Sequence, residues 1–427
     1  MHINFQTKQM NAKSYYPRIC DQVLNQKLQL TGATLVIGPK WCGKTETALQ
    51  ASKSVIYIQS DPQYKETGKL MPSLLLEGET PRLIDEWQEV PELWNAVRHT
   101  VDIRRKQGQF ILTGSATPRD EVMAHSGIGR ISRIQMRPMS LYESQESTGT
   151  ISLKALFNGE DEIAAISSME IAHLAYSICR GGWPGAVTIS SGNEKMAQEY
   201  SDMLVEEDIH NLDNIERNPY RVRQVLRSLA RNISTLTTAN TILEDVRAND
   251  VTINERTLDN YLNAMRRLFV VEDVPAWSPS LRSKTTIRTS FKRQLVDPSI
   301  ATAVMRVNDN GLLHDLNTFG FLFESLCTRD MRIYAQANDG EVFHYRDKDH
   351  LEIDLIVSLK DGRWGAIEVK LGEYQADEAA TNLIQLKNKV DTSRIGDPSF
   401  LMVLTGGKYA YKRKDDVLVV PIGCLKD

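Results

Sequence analysis

The segment Gly38-Pro-Lys-Trp-Cys-Gly-Lys-Thr45 lies between an apolar run, Ala33-Thr-Leu-Val-Ile37, and a stretch of helix-forming composition, Glu46–Ser52. It fits G-x-x-x-x-G-K-[ST] at every position. Glycines at both ends let the backbone curl so that its N–H groups face inward. The helix that follows adds partial positive charge at the same point. The pattern predicts a loop made of Gly38, Pro39, Lys40, Trp41, Cys42, Gly43, Lys44 and Thr45 that cradles a triphosphate, ATP with Mg²⁺. Lys44 would reach the outer phosphates and the Thr45 hydroxyl would ligate the metal. The alternative is a strand–turn–helix junction with an incidental lysine.

Three further apolar runs follow, Ser54-Val-Ile-Tyr-Ile58, Pro81-Arg-Leu-Ile-Asp85 and Gln109-Phe-Ile-Leu-Thr113, alternating with helical stretches. This is the pattern of an α/β fold whose parallel strands are buried on both faces. The run Pro81–Asp85 ends in Asp85, with Glu86 next, about 40 residues beyond Thr45. A hydrolytic site of this type needs one acid to hold Mg²⁺ and often a second to polarise water. Asp85 and Glu86 suit those tasks; an acidic turn closing a strand is the alternative. Thr113 and Ser115, where the next run ends, are candidates to hold the lytic water or touch the γ-phosphate, or else cap the strand. Arg130, Arg133 and Arg137 follow in a segment read as mobile. One of the three, Arg130 among them, is a candidate for stabilising transition-state charge, in cis or from a neighbouring subunit of a homo-oligomer, although arginines in such segments are more often solvated.

The order of GPKWCGKT, LIDEW, FILTGSA and Gly129-Arg130 resembles that in prokaryotic AAA+ -type ATPases carrying a C-terminal domain of unknown function. Gly181-Gly-Trp-Pro-Gly185 and Asp208-Ile209 also stand where that family has them. The resemblance implies three parts. They are a P-loop ATPase core over 1–138, a helical linker and winged-helix segment over 139–300, and an α+β, restriction-endonuclease-like domain over 301–427. Arg137-Pro-Met-Ser140 and Asp297-Pro-Ser299 read as linkers, and Trp183 as a packed turn.

Length and composition agree with a multidomain globular chain. There are 427 residues, 41% hydrophobic and 25% charged, with net charge −4. That balance excludes a globally basic protein, so a nucleic-acid partner needs a local patch. Five scattered cysteines without a CxxC pair fit neither a disulfide framework nor a zinc site. No apolar run approaches the ~20 residues that span a bilayer. A cytoplasmic protein without membrane attachment is expected.

One local basic patch exists. Asn254-Glu-Arg-Thr257 starts a helical pattern through Leu258, Tyr261, Leu262, Met265 and Leu268, which would turn Arg256, Asn260 or Asn263 outward. Residues 277–295 then hold Arg282, Lys284, Arg288, Lys292 and Arg293 and no acid. With Arg256 these form a candidate DNA-binding set on a winged helix. The alternative is a solvated basic loop beside a small helical domain.

Near the C-terminus, Leu351-Glu-Ile-Asp-Leu-Ile-Val357 and Gly365-Ala-Ile-Glu-Val-Lys-Leu371 flank an Asp-Gly turn at Asp361. A hairpin centred there sets Asp354 opposite Glu368 and, by alternation, Glu352 beside Asp354 and Lys370 beside Glu368. The arrangement resembles the PD-(D/E)XK nuclease superfamily. The resemblance implies a metal held by Asp354, Glu368 and the helical acid Glu324, with Lys370 positioning water and Gln385 a weaker polar candidate. Two functions follow as alternatives. One is an ATPase acting on or with DNA with a metal-dependent nuclease domain. The other is a nucleotide-dependent switch or scaffold whose nuclease-like domain is inert and binds a partner.

Overall fold

The apolar runs become parallel strands: β1 (Ala33–Ile37), β2 (Ser54–Tyr57), β3 (Arg82–Asp85) and β4 (Phe110–Gly114). A fifth, β5 (Ile131–Gln135), forms where the sequence reading placed a mobile segment. The computed structural model describes residues 15–117, 127–189, 192–193, 195–213, 215–279 and 290–427. The sheet order is β2-β3-β4-β1-β5. Strand β1 lies between β4 and β5, with Val36 beside Thr113 and Ile134. The chain order reverses around β1, so a crevice opens at its carboxyl end.

Helices α1 (Ile19–Leu30), α2 (Lys44–Ala51), α3 (Pro62–Leu70) and α4 (Glu92–Arg104) accompany the sheet. Helix α4 buries Leu93, Trp94, Val97 and Val101, the three-and-four spacing of one helical face. These side chains join Leu35, Ile84, Trp87, Phe110 and Leu112 in one core, where the Trp87 and Trp94 rings lie 5.1 Å apart.

The chain divides into two compact units, residues 1–137 with 267–269, and 138–266 with 270–427. The break falls at Arg137/Pro138. The expected border at residue 300 falls inside the second unit. Asp297 is not in a linker: it is fully buried, caps the helix Pro298–Met305 and pairs with Arg329 at 2.8 Å.

In the second unit a seven-stranded sheet runs β7-β12-β13-β11-β10-β9-β8. Its members are β7 (Ala164–Ile166), β8 (Gly340–Arg346), β9 (Glu352–Leu359), β10 (Trp364–Lys370), β11 (Leu401–Thr405), β12 (Tyr409–Lys412) and β13 (Leu418–Pro421). Strand β7 comes from the stretch expected to be linker, as does β6 (Ile151–Ser152), which pairs with β14 (Leu425–Lys426). The helix Leu316–Ala337 packs on β8, β9 and β10, and Ala376–Lys389 connects β10 to the parallel β11.

In chain order between β7 and β8 come the helices Pro219–Arg231, Ala239–Arg247 and Glu255–Arg267. Antiparallel bridges Val271–Leu295 and Val274–Lys292 follow. Ala276 bridges His344, which covers the outer side of β8. Trp183 is fully buried against Tyr200, 4.3 Å between ring centres, and donates its indole N–H to Ser299, as a packed turn requires. No helix among the described residues is long and apolar enough to cross a membrane.

Candidate functional site

The glycine-rich loop leaves β1 at Ile37 and enters α2 at Lys44. Gly38 has φ +154°, and a β-carbon there would lie 2.2 Å from the Met136 carbonyl oxygen, so no side chain fits. Gly43, at φ +96°, is the residue before the helix and takes the left-handed conformation that glycine adopts without strain. Lys44 is buried, and its Nζ donates to the Pro39 carbonyl at 2.8 Å, inside the loop it would serve.

Asp85 and Glu86, closing β3, take different partners. Asp85 Oδ1 accepts from the Thr45 hydroxyl at 2.7 Å and from the Thr113 hydroxyl at 2.7 Å. The register sets this up: β4 lies between β1 and β3 and brings Thr113 in just past the Ile84–Leu112 pair. Burial raises the Asp85 carboxyl above its ordinary range, opposed by the two donated hydroxyl bonds. Glu86 has φ 54° and ψ 51°, which turns its carboxylate away from Asp85 toward the end of β4. There its Oε2 accepts from the Ser115 hydroxyl at 2.9 Å, from the Ser115 N–H at 3.3 Å and from Gln88. Its own N–H donates to Thr113 Oγ1 at 3.1 Å. Thr113 and Ser115 therefore position the two acids.

Arg130 does not meet this site in cis. It precedes β5, and its carbonyl accepts from the Ala33 N–H at 3.0 Å, at the end of the sheet where β1 begins. The loop leaves the other end of β1, four residues or roughly 13 Å away at ordinary strand rise. The Arg130 guanidinium pairs with Asp102 at 2.9 Å. Arg133 sits on β5 with its guanidinium over the Trp94 ring, 5.9 Å from the centroid.

The sequence reading missed Arg18. Buried at the start of α1, it donates to the Cys42 carbonyl at 2.8 Å and to the Arg137 carbonyl at 2.8 Å, bracing the glycine-rich loop from behind. An arginine before a helix carries no local signal for that role.

In the second unit the β9–β10 hairpin has the expected register, with Leu355 opposite Ile367, which places Asp354 across from Glu368. The helix Leu316–Ala337 adds Glu324. These carboxylates surround lysines. Lys292, 1% exposed, puts Nζ 2.7 Å from Glu324 Oε1, 3.0 Å from Asp354 Oδ1 and 3.7 Å from Glu352 Oε1. Lys370 Nζ lies 2.8 Å from Glu368 Oε2 and 3.8 Å from Asp354 Oδ2. Asp354 Oδ2 also accepts from the Val369 N–H at 2.9 Å. Among the described residues no group of three or more His, Cys, Asp or Glu is arranged to hold a metal ion. The trio expected to do so, Glu324, Asp354 and Glu368, meets around ammonium groups.

Burial pushes Glu324 and Glu368 up to about 8, opposed by Lys292 for Glu324 and by Lys370 for Glu368. Burial alone would lower the Lys292 ammonium; Asp354 and Glu324 raise it above its ordinary value. Gln385 is exposed on its helix.

This geometry corrects the DNA-binding set. Lys292 faces inward, and Arg293 is buried against Asp273 at 2.7 Å and the Thr237 carbonyl at 2.9 Å. Acid-free composition had read as solvent-facing because the acids that hold these cations come from distant segments. Arg256 and Asn263 are exposed, whereas Asn260 accepts from Arg217 at 2.9 Å. Arg282, Lys284 and Arg288 lie outside the described residues.

Residues 31–145 match the family model of the AAA domain. Residues 171–311 and 319–425 match two domains of unknown function, DUF8612 and DUF4143. Uncharacterized proteins of Mycobacterium tuberculosis and Mycobacterium bovis are each 22% identical over 353 residues, covering 81% of this chain and 72% of the relative. A Walker-type ATPase of Pyrococcus abyssi aligns over 71% of this chain and 99% of its own, at 15% identity and TM-score 0.43. A Signal Transduction ATPase with Numerous Domains protein from Pyrococcus horikoshii, with a tetratricopeptide repeat sensor, aligns over 75% and 50%, at 13% identity and TM-score 0.25. The AAA match spans the glycine-rich loop, Asp85, Glu86 and Thr113, so the first unit carries a AAA-type ATPase domain.

Proposed function

We propose that this chain is a Mg²⁺-dependent ATPase that works on or with DNA. The observation that carries the ATPase reading is the meeting of the Thr45 and Thr113 hydroxyls on one oxygen of Asp85, directly below the glycine-rich loop. Thr45 and Asp85 are hard oxygen donors on adjoining elements, the chemistry that suits Mg²⁺. The ion, when bound, neutralises charge on the triphosphate. Lys44 and the loop N–H groups hold the outer phosphates, and Glu86, fixed by Ser115 and Gln88, orients and polarises the attacking water. Arg18 keeps the loop backbone in place.

Steady-state ATP hydrolysis with and without Mg²⁺ tests this, with Lys44→Ala as the variant. Absence of nucleotide affinity in the wild-type chain under Mg²⁺ would end the reading. Arg130, held at the end of the sheet where β1 begins, would act at the transition state only from a second copy. Sedimentation with and without ATP tests that association.

For the second unit, the lysines set among the carboxylates favour a part that grips and does not cut. Arg256, exposed in the first turn of Glu255–Arg267, and the basic residues Arg282, Lys284 and Arg288 support DNA as what it grips. DNA binding that weakens with salt and stimulates hydrolysis is expected. Partner binding insensitive to DNA competition would instead favour the switch or scaffold reading.

A further inference from the structure

The carboxylates of the second unit converge on a cation that is part of the chain. Lys292 Nζ lies within hydrogen-bond distance of Glu324 and Asp354, and Glu352 stands 3.7 Å away on the more open side. Its backbone is fixed as firmly as its side chain. The Lys292 N–H donates to the Val274 carbonyl at 3.0 Å, and the Lys292 carbonyl accepts from the Val274 N–H at 2.8 Å. The neighbouring Arg293 is anchored to Asp273. An ammonium held on both sides in this way is not a surface side chain that has fallen inward.

The acids come from three separate elements: Glu324 from a helix, Glu352 and Asp354 from β9, and Glu368 from β10. Such convergence of buried carboxyl groups persists through protonation or through positive charge at its centre, and Lys292 supplies the charge beside Asp354. A divalent ion and the ammonium of Lys292 cannot share that centre, because they would repel each other at contact distance in a dry environment. Lys370 takes up the remaining carboxylate, Glu368, so each of the four acids has a lysine beside it.

We propose that Lys292 is the resident cation of this pocket, standing where a divalent metal would otherwise bind, so that the second unit neither takes up nor requires a metal there. The inference rests on the non-cutting reading of the second unit and is independent of the ATPase site.

The test uses the full chain without nucleotide and Mn²⁺ as the probe, followed by electron paramagnetic resonance titration and by thermal unfolding. Wild type and Asp354→Asn should take up the same amount of Mn²⁺, because the pocket contributes none. Lys292→Ala should gain about one Mn²⁺ per chain, and Mn²⁺ should raise its unfolding temperature. Adding Asp354→Asn to Lys292→Ala should remove both gains.

Wild-type Mn²⁺ uptake that falls by about one ion on Asp354→Asn would overturn the proposal. So would a folded Lys292→Ala that gains no ion. If Lys292→Ala fails to fold, the wild-type and Asp354→Asn pair decides alone. A parallel DNA-cleavage assay in Mn²⁺ separates the two readings. Mn²⁺ in the pocket without cleavage defeats the resident-cation inference and leaves the non-cutting reading standing. Cleavage lost on Asp354→Asn defeats both.

Discussion

Two carboxylates at or within buried strands, Asp85 in the first unit and Asp354 in the second, are surrounded by opposite kinds of neighbour. Asp85 accepts hydroxyl hydrogens from Thr45 and Thr113, which carry no charge. Asp354 accepts from the ammonium of Lys292 and has that of Lys370 close by. A hydroxyl can hand its carboxylate to an incoming metal and turn its own oxygen toward the same ion. An ammonium cannot, since it must leave before a metal arrives. The acid alone therefore does not announce a metal site; the charge of its partners does.

The largest effect expected from that contrast is catalytic. Asp85→Asn, which preserves shape and removes the anion, should lower ATP hydrolysis by about 10²–10³-fold, the scale of losing one preorganised charge-stabilising group. Near-normal turnover of this variant would erase the distinction between the two acids. Next comes the stability of the second unit. Lys292→Ala leaves buried carboxylates unpaired and should cost about 3–5 kcal/mol in urea unfolding, followed on the transition of the second unit alone. A loss under about 1 kcal/mol would place the cluster among solvated surface pairs.

A pH dependence follows from His344, which abuts the same region. Burial pushes its imidazole down to about 4, helped by Lys292 and opposed by its bond to the Ser290 carbonyl. The unfolded chain takes its proton near 6.5 and the folded chain only near 4, so folded-state stability is full above pH 6.5. It should fall as pH drops from 6.5 to 4, by up to about 3 kcal/mol. His344→Gln should flatten that decline, and an unchanged slope would remove His344 as its source. The smallest effect is expected at Arg130. Its ion pair with Asp102 is half-exposed and screened by water, so Arg130→Ala should leave the urea midpoint of the first unit nearly unchanged. Chain-autonomous hydrolysis, measured at dilution, should stay within about twofold.

Much of the first site was legible because its signals are local. The Gly38–Thr45 pattern, the acid pair after an apolar run and the strand ends at Thr113 and Ser115 all lie within short windows. Strand β5 was not, since Ile131-Ser-Arg-Ile-Gln135 offers only two apolar residues to a sequence reader. The position of Arg130 was hidden for the same reason: without β5, nothing showed which end of the sheet it occupied. In the second unit the hairpin register was readable from the Asp-Gly turn, and with it the nearness of Asp354 and Glu368. The partner of Asp354 was not readable. Lys292 reaches it through the pairing of Val274 with Lys292, a long-range contact that leaves no mark on the composition around either residue. Arg18 and the β6–β14 pair were hidden likewise.

That last pair has a consequence for how the molecule is made. The five-stranded sheet has all its strands once residue 135 is available, so that sheet can form before residues 267–269, which complete the first unit, are synthesised. The second unit places Ile151 and Ser152 beside Leu425 and Lys426, joining segments more than 270 residues apart. Strand β6 therefore stays without that partner while all the intervening residues are made, and the growing chain needs protection from wrong partners until β14 emerges from the ribosome.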